Sequence, residues 1–92
     1  MTYQIDITDE AQLNIKEASE YYLEISTSLN HKFTADLVKT IDELAENPLY
    51  HQIRYKGIRI AHTKTFPFGI HFFIDGTTLR VLKILHHKQY YK

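Results

Sequence analysis

Arg59, Lys64, Arg80, His86, His87 and Tyr90 are the residues of this 92-residue chain best suited to chemistry on a partner. Guanidinium and ammonium groups hold anions, imidazole moves protons near neutral pH, and a phenol can donate one. They are densest at the C-terminus. There the stretch LRVLKILHHKQYYK passes from an apolar strand pattern, Leu79 to Leu85, straight into His86, His87, Lys88, Gln89, Tyr90, Tyr91 and Lys92. Such an end can be a catalytic cluster, a docking edge or a solvated terminus. Each group also has a plain structural alternative. Arg59 and Arg80 can form surface ion pairs with acidic helices. His86 can bond a loop carbonyl at a strand end, and Tyr90 and Tyr91 can pack. His62 and His71 fall inside strand-like stretches and read as structural histidines.

Other chemistries find little support. There is no cysteine, hence no thiolate site and no disulfide framework. His86 and His87 are neighbours, and neighbouring strand side chains point to opposite faces, so one ion cannot take both. No His-x-His or His-x-x-x-His pair occurs, so no metal ligand set is assigned. Gly57, Gly69 and Gly76 are scattered and form no phosphate-binding loop, so no cofactor is expected.

The elements that must position these groups can be read from periodicity. Tyr3, Ile5 and Ile7 alternate with polar residues, as in a strand with one buried face. Thr8 can cap a helix whose first turn holds Asp9 and Glu10, next to the positive end of the dipole. Ala11, Ile15, Ala18, Tyr22 and Ile25 form its apolar stripe. Ser26, Thr27 and Ser28 interrupt, and a second helix starts near Ser28 or Asn30. Its buried side is Phe33, Leu37, Ile41 and Leu44, with Val38 and Ala45 alongside, and Asn47-Pro48 ends it. So short a link predicts an antiparallel helical hairpin.

The second half reads as strands. Ile58 to Lys64 follows a loop that includes Gly57. Ile70, Phe72 and Ile74 alternate after the Phe66-Pro67-Phe68-Gly69 connection. Asp75-Gly76 signals a hairpin turn. The returning strand carries Leu79, Val81 and Leu85 on one parity and Leu82 and Ile84 on the other, which predicts a central position in the sheet. The order β-α-α-β-β-β predicts an α+β fold in one domain, residues 1–92. A curved, mainly antiparallel sheet carries the helical hairpin on one face. Phe33, Leu37, Ile41, Phe72 and Leu82 are expected in the core. The first strand, at an edge, offers a surface for a homodimer.

The overall charge of zero conceals a division. Residues 1–47 carry three Lys against ten Asp or Glu, a net of −7; residues 48–92 carry eight Lys or Arg against Asp75 alone, a net of +7. The basic half suits an anionic partner, unless folding lets the halves neutralise each other. No stretch approaches the length of a membrane span, and MTYQIDITDE lacks the layout of a signal peptide. With no cysteine, a cytoplasmic location and no membrane partner are expected.

The motifs add a resemblance. In IRIAHTKTFPFGIHFFIDGTTLRVLKILHHKQ, an Ile-Arg pair opens a strand at Ile58-Arg59. An aromatic-Pro-aromatic step follows at Phe66-Pro67-Phe68, then an aromatic-rich strand, a short turn and a strand ending in His86. NPLYHQIRYKGIR precedes it as the link from second helix to sheet. This order resembles the RelE/ParE superfamily of bacterial toxins from type II toxin–antitoxin modules, the plasmid stabilisation proteins, and it extends over nearly the whole chain. The resemblance implies a protein held inactive by an antitoxin whose tail wraps it. In one branch the toxin cleaves messenger RNA in the ribosome; in the other it poisons DNA gyrase.

Cleavage through a 2′-hydroxyl needs a base, an acid and cations around the phosphorane. Arg59, Lys64, Arg80, His86 and Tyr90 are the groups that could supply them. Ribonuclease members of the family often carry Arg directly after the Pro-aromatic step, where this chain has Gly69. Three residues after the strand-end His they usually carry Arg or Lys, where this chain has Gln89. They also tend to be strongly basic. The resemblance therefore favours the gyrase-directed branch and a toxin that acts by binding, with Arg59, Lys64, Arg80, His86 and His87 as partner-contacting residues. An endoribonuclease, and a degenerate toxin that retains only antitoxin binding, are the alternatives.

Overall fold

A computed structural model describes residues 2–87. The elements run β1 Gln4–Ile7, α1 Asp9–Ile25, α2 Thr27–Glu46, a 3₁₀ turn Pro48–Tyr50, β2 Ile53–Tyr55, β3 Ile58–His62, β4 Phe68–Asp75 and β5 Thr78–His86. The five strands form one sheet in the order β1-β5-β4-β3-β2. β1 lies parallel to β5, and the other pairs are antiparallel. The α+β order and the helical hairpin agree with the sequence, and β5 takes the interior position that its two apolar faces predict.

Local chemistry sets the helix ends. The Thr8 hydroxyl accepts from Ala11 N at 3.2 Å and caps α1. Ser26 is extended, at φ −166°, and is the whole link between the helices; its Oγ accepts from Leu29 N at 2.9 Å. One residue suffices, so α2 begins at Thr27, ahead of the start its sequence suggests. Asn30 then donates to the carbonyl and hydroxyl of Ser19, at 2.8 and 2.6 Å, and fastens the hairpin.

The core lies between the helices and the sheet. Phe33, Leu37 and Leu44 of α2 and Ala11 of α1 are buried against Ile70, Phe72, Leu79, Val81 and Ile84. Ile15, Ala18, Tyr22 and Ile41 pack partly buried against them. Ile25 and Val38 are more than half exposed instead, at 58% and 52%. Ile25 is the last residue of α1, and Val38 sits about 100° around α2 from Leu37.

Two strand features were not evident from alternation. The stretch expected as a loop before Ile58 contains β2, because Lys56 and Gly57 both take positive φ, 44° and 77°, and make a tight two-residue turn between Tyr55 and Ile58. β5 also carries a bulge. His71 pairs with Lys83 but Phe72 pairs with Val81, which leaves Leu82 as an extra residue. Val81 and Ile84, three apart, consequently both face the helices. Leu82 is only partly buried, which corrects the parity expected for that strand and the place of Leu82 in the core.

Side chains complete two backbone edges. β1 covers β5 only from Thr78 to Val81. Beyond that point Thr8 Oγ1 donates to Leu82 O at 2.9 Å, and Asn14 Oδ1 accepts from Ile84 N at 3.0 Å. On the other side of the sheet, the Asp36 carboxylate of α2 accepts from Lys64 N, Thr65 N and Phe66 N, at 3.3, 3.0 and 3.0 Å. This carboxylate ties the loop after β3 to the helical layer.

Replacing Leu37 or Phe72 by Ala should cost about 2–5 kcal/mol by transfer and cavity terms. Leu82→Ala should cost less than either. Asp36→Ala, which leaves three N–H groups without their acceptor, should cost about 1–3 kcal/mol. Urea unfolding of the four variants gives the ranking; a Leu82→Ala cost equal to that of Phe72→Ala would contradict the bulge.

Candidate functional site

The register divides the sheet into two faces. Opposed residues of antiparallel strands point the same way, so Phe68, Ile70, Phe72, Ile84 and His86 face the helices, as does Arg59, which lies opposite Phe72. Ile60, His62, Gly69, His71, Phe73, Arg80 and Lys83 belong to the outer face.

The cations singled out in the sequence do not converge. Arg59 sits on the helix side near the β2–β3 turn, and its Nη1 donates to the carbonyl of His51 at 2.5 Å. Arg80 lies on the outer face, where Nη1 meets Asp6 Oδ2 at 2.6 Å and Nε meets Asp75 Oδ2 at 3.5 Å. Its partners are strand carboxylates, where the sequence suggested helical ones. Lys64 is at the opposite end of β3 from Arg59, with Nζ 3.1 Å from Glu43 Oε2 of α2. Here the expected pairing of the basic half with an acidic helix does occur. Each pair is substantially exposed and contributes little to stability.

His86 and His87 separate as strand geometry requires. The His86 ring packs on Phe68, centroids 5.4 Å apart and nearly perpendicular. It also closes a groove between α1 and the end of β5. This groove has a volume of about 420 Å³ and is lined by Asn14, Glu17, Ala18, Tyr21, Tyr22, Ile25, Phe68, Ile84 and His86. Burial and the neighbouring Tyr21 push the Tyr22 phenol upward from its ordinary pKa, so it stays protonated. The row Leu13, Tyr21 and Ile25 is exposed along the same helix. His87 turns the other way, and its Nε2 is 2.9 Å from His62 Nδ1 across the outer face. Tyr90 lies outside the described residues.

The outer face holds a second contact that the sequence did not pair. His71 is 2% exposed although it points away from the helices. Its Nδ1 meets the Tyr55 hydroxyl at 2.8 Å, and the rings lie edge to face at 5.9 Å. Tyr55 belongs to β2, the strand missed by alternation, so its partner could not be inferred. Burial, with Lys83 and His62 nearby, lowers the His71 imidazole to about 4. His51 and His62 are shifted down as well, chiefly by burial. These three imidazoles are therefore neutral at physiological pH. They can accept or relay a proton, but they do not supply positive charge. Among the described residues no group of three His, Asp, Glu or Cys side chains is placed to hold a metal ion, and no helix is long and apolar enough to cross a membrane.

Residues 5–91 match the family model of the ParE toxin of the type II toxin–antitoxin system parDE. No curated protein matches the chain. Among solved structures, a chain of the chromosomal ParDE toxin–antitoxin system from P. aeruginosa superposes with a TM-score of 0.81 at 18% identity, over 92% of this chain and 96% of that one. A chain of the RelBE2 toxin–antitoxin complex from Mycobacterium tuberculosis superposes with a TM-score of 0.67 at 19% identity, over 94% and 99%. At these identities the two likenesses are likenesses of fold.

The depressed His71 fixes the sign of one pH effect. An unfolded chain takes up a proton at this residue near pH 6.5, whereas the folded chain resists it until about pH 4. The associated stability is complete above pH 6.5 and is lost as the pH falls toward 4. Unfolding free energy should fall by about 2–3 kcal/mol through this window. His71→Gln should flatten the decline. Denaturant melts of both proteins at half-unit pH steps test it, and parallel curves would remove His71 as the cause.

Proposed function

The chain belongs to the ParE toxin family of type II toxin–antitoxin systems, and from that premise we propose that it acts by binding a cellular target, DNA gyrase in the first instance, and is neutralised by a cognate antitoxin. The observation that carries this reading is the dispersal of its cations. Arg59 holds a loop carbonyl, Lys64 a helix carboxylate and Arg80 two strand carboxylates, on two faces and at two ends of the sheet. Stabilising a phosphorane requires donors aimed at one point. Gly69, where the ribonuclease branch often has Arg, brings none.

A binding role uses what is present. The groove beside α1 offers Tyr21, Tyr22, Ile25 and Ile84 to the apolar side of an antitoxin segment, with His86 at its mouth. The basic half, with Lys83 and His87 beside Arg59, Lys64 and Arg80, suits the acidic side chains of such a segment. The two solved structures named above come from toxin–antitoxin systems, which supports an antitoxin as partner. The second reading, a ribosome-dependent endoribonuclease, draws on the imidazoles of the outer face.

Induction without antitoxin separates the two. Binding to gyrase should arrest DNA synthesis within minutes, before protein synthesis, and leave messenger RNA ends unchanged. Discrete cuts within codons, abolished by His86→Ala or Arg80→Ala, would make the chain a nuclease instead. In titrations with the antitoxin, Tyr21→Ala and His86→Ala should each weaken binding by roughly tenfold or more, as for central interface residues. Unchanged affinity in both would move the antitoxin away from the groove.

A further inference from the structure

His62 and His87 approach each other in a way that neither strand periodicity nor the proposed binding role calls for. β3 and β5 are two strand spacings apart, roughly 10 Å, with β4 between them. Side chains on such strands are ordinarily kept apart by the residue of the middle strand. Here that residue is Gly69, which lies opposite both His62 and Leu85. With no side chain at Gly69, the His62 ring leans over β4 toward the end of β5. His87 is anchored there by its own N–H, which donates to Pro67 O at 2.8 Å. The rings meet nearly perpendicular, at 83°, with centroids 4.8 Å apart. Nδ1 of one is 2.9 Å from Nε2 of the other.

That separation is the length of a ring-to-ring hydrogen bond, and it coincides with one coordination geometry. Two imidazole nitrogens bound to one late first-row metal each lie about 2.0–2.1 Å from it. At right angles, as in tetragonal or octahedral coordination, they are about 2.9 Å apart; in a tetrahedral site they are about 3.4 Å apart. We propose that His62 and His87 form a two-histidine clamp for a divalent ion of tetragonal preference, Ni²⁺ or Cu²⁺, across the gap left by Gly69. His62 ligates through Nδ1 and His87 through Nε2. Each ring keeps its proton on the other nitrogen, so the tautomer that donates within the pair moves its proton to the far side of the ring. Turning each lone pair about 45° off the line between the two nitrogens then aims both at a common point, the geometry of a right-angled site. Among the described residues no third His, Cys, Asp or Glu joins the pair. An ion held in this way links β3 to the end of β5.

The test is a titration of NiCl₂ into the full chain, free of any histidine tag, at pH 7.5 in a non-chelating buffer, by calorimetry and by histidine ring NMR signals. One equivalent should bind. The ring signals of His62 and His87 should broaden first, and the melting temperature should rise with Ni²⁺ concentration. His62→Ala and His87→Ala should each weaken binding by at least about tenfold, while His31→Ala, on the exposed side of α2, should leave it unchanged. Melts of the metal-free variants check that they fold. Binding retained in both His62→Ala and His87→Ala, or lost equally in His31→Ala, would overturn the proposal, as would broadening that begins at any other histidine.

Discussion

Every layer of this molecule is fastened to β5. It pairs with β1 on one side and β4 on the other, in opposite senses, and carries α1 on its inner face. A strand with perfect alternation could not meet all three demands. Its inward residues must meet Ile70 and Phe72 of β4 and the helices, while its outward residues include Arg80 and Lys83. The bulge at Leu82 resets the alternation midway, so that Leu79, Val81 and Ile84 share the core. Which face His86 takes, and which His87, depends on that one inserted residue.

Charge is arranged by the same layering. The acidic half of the chain forms β1 and the two helices, and the basic half forms the rest of the sheet. They meet at a few definite places. Asp36 gathers three backbone N–H groups, Glu43 meets Lys64, and Asp6 meets Arg80. Partial neutralisation between the halves is thus achieved within the fold. It also withdraws from chemistry two cations that their spacing in the sequence had made attractive.

The fold was legible where periodicity is long. The two helices, the β4–β5 hairpin and the interior place of β5 follow from apolar spacing and from the Asp75-Gly76 turn. The shortfalls have separate physical causes. β2 has three residues, too few for alternation to register, and only the positive φ of Lys56 and Gly57 marks the turn beside it. The bulge leaves no mark in the composition of β5, since Leu82 is as apolar as Val81 and Ile84. Contacts on the outer face depend on register across three strands. His62 with His87, and Tyr55 with His71, are separated by 25 and 16 residues. The signal for the first pair was Gly69, a residue without a side chain near the start of an aromatic strand.

Thr8 and Asn14 stand where a longer β1 would have continued beside β5. In effect they imitate a missing neighbour. The carbonyl of Leu82 and the amide of Ile84 are already occupied, so this border is not an open template for a second sheet. A newcomer laying its backbone here exchanges two side-chain bonds for two main-chain bonds, nearly a zero-sum trade. Recognition along this border must then come from what the newcomer's side chains find, and indiscriminate strand stacking is disfavoured at the margin where β1 stops short.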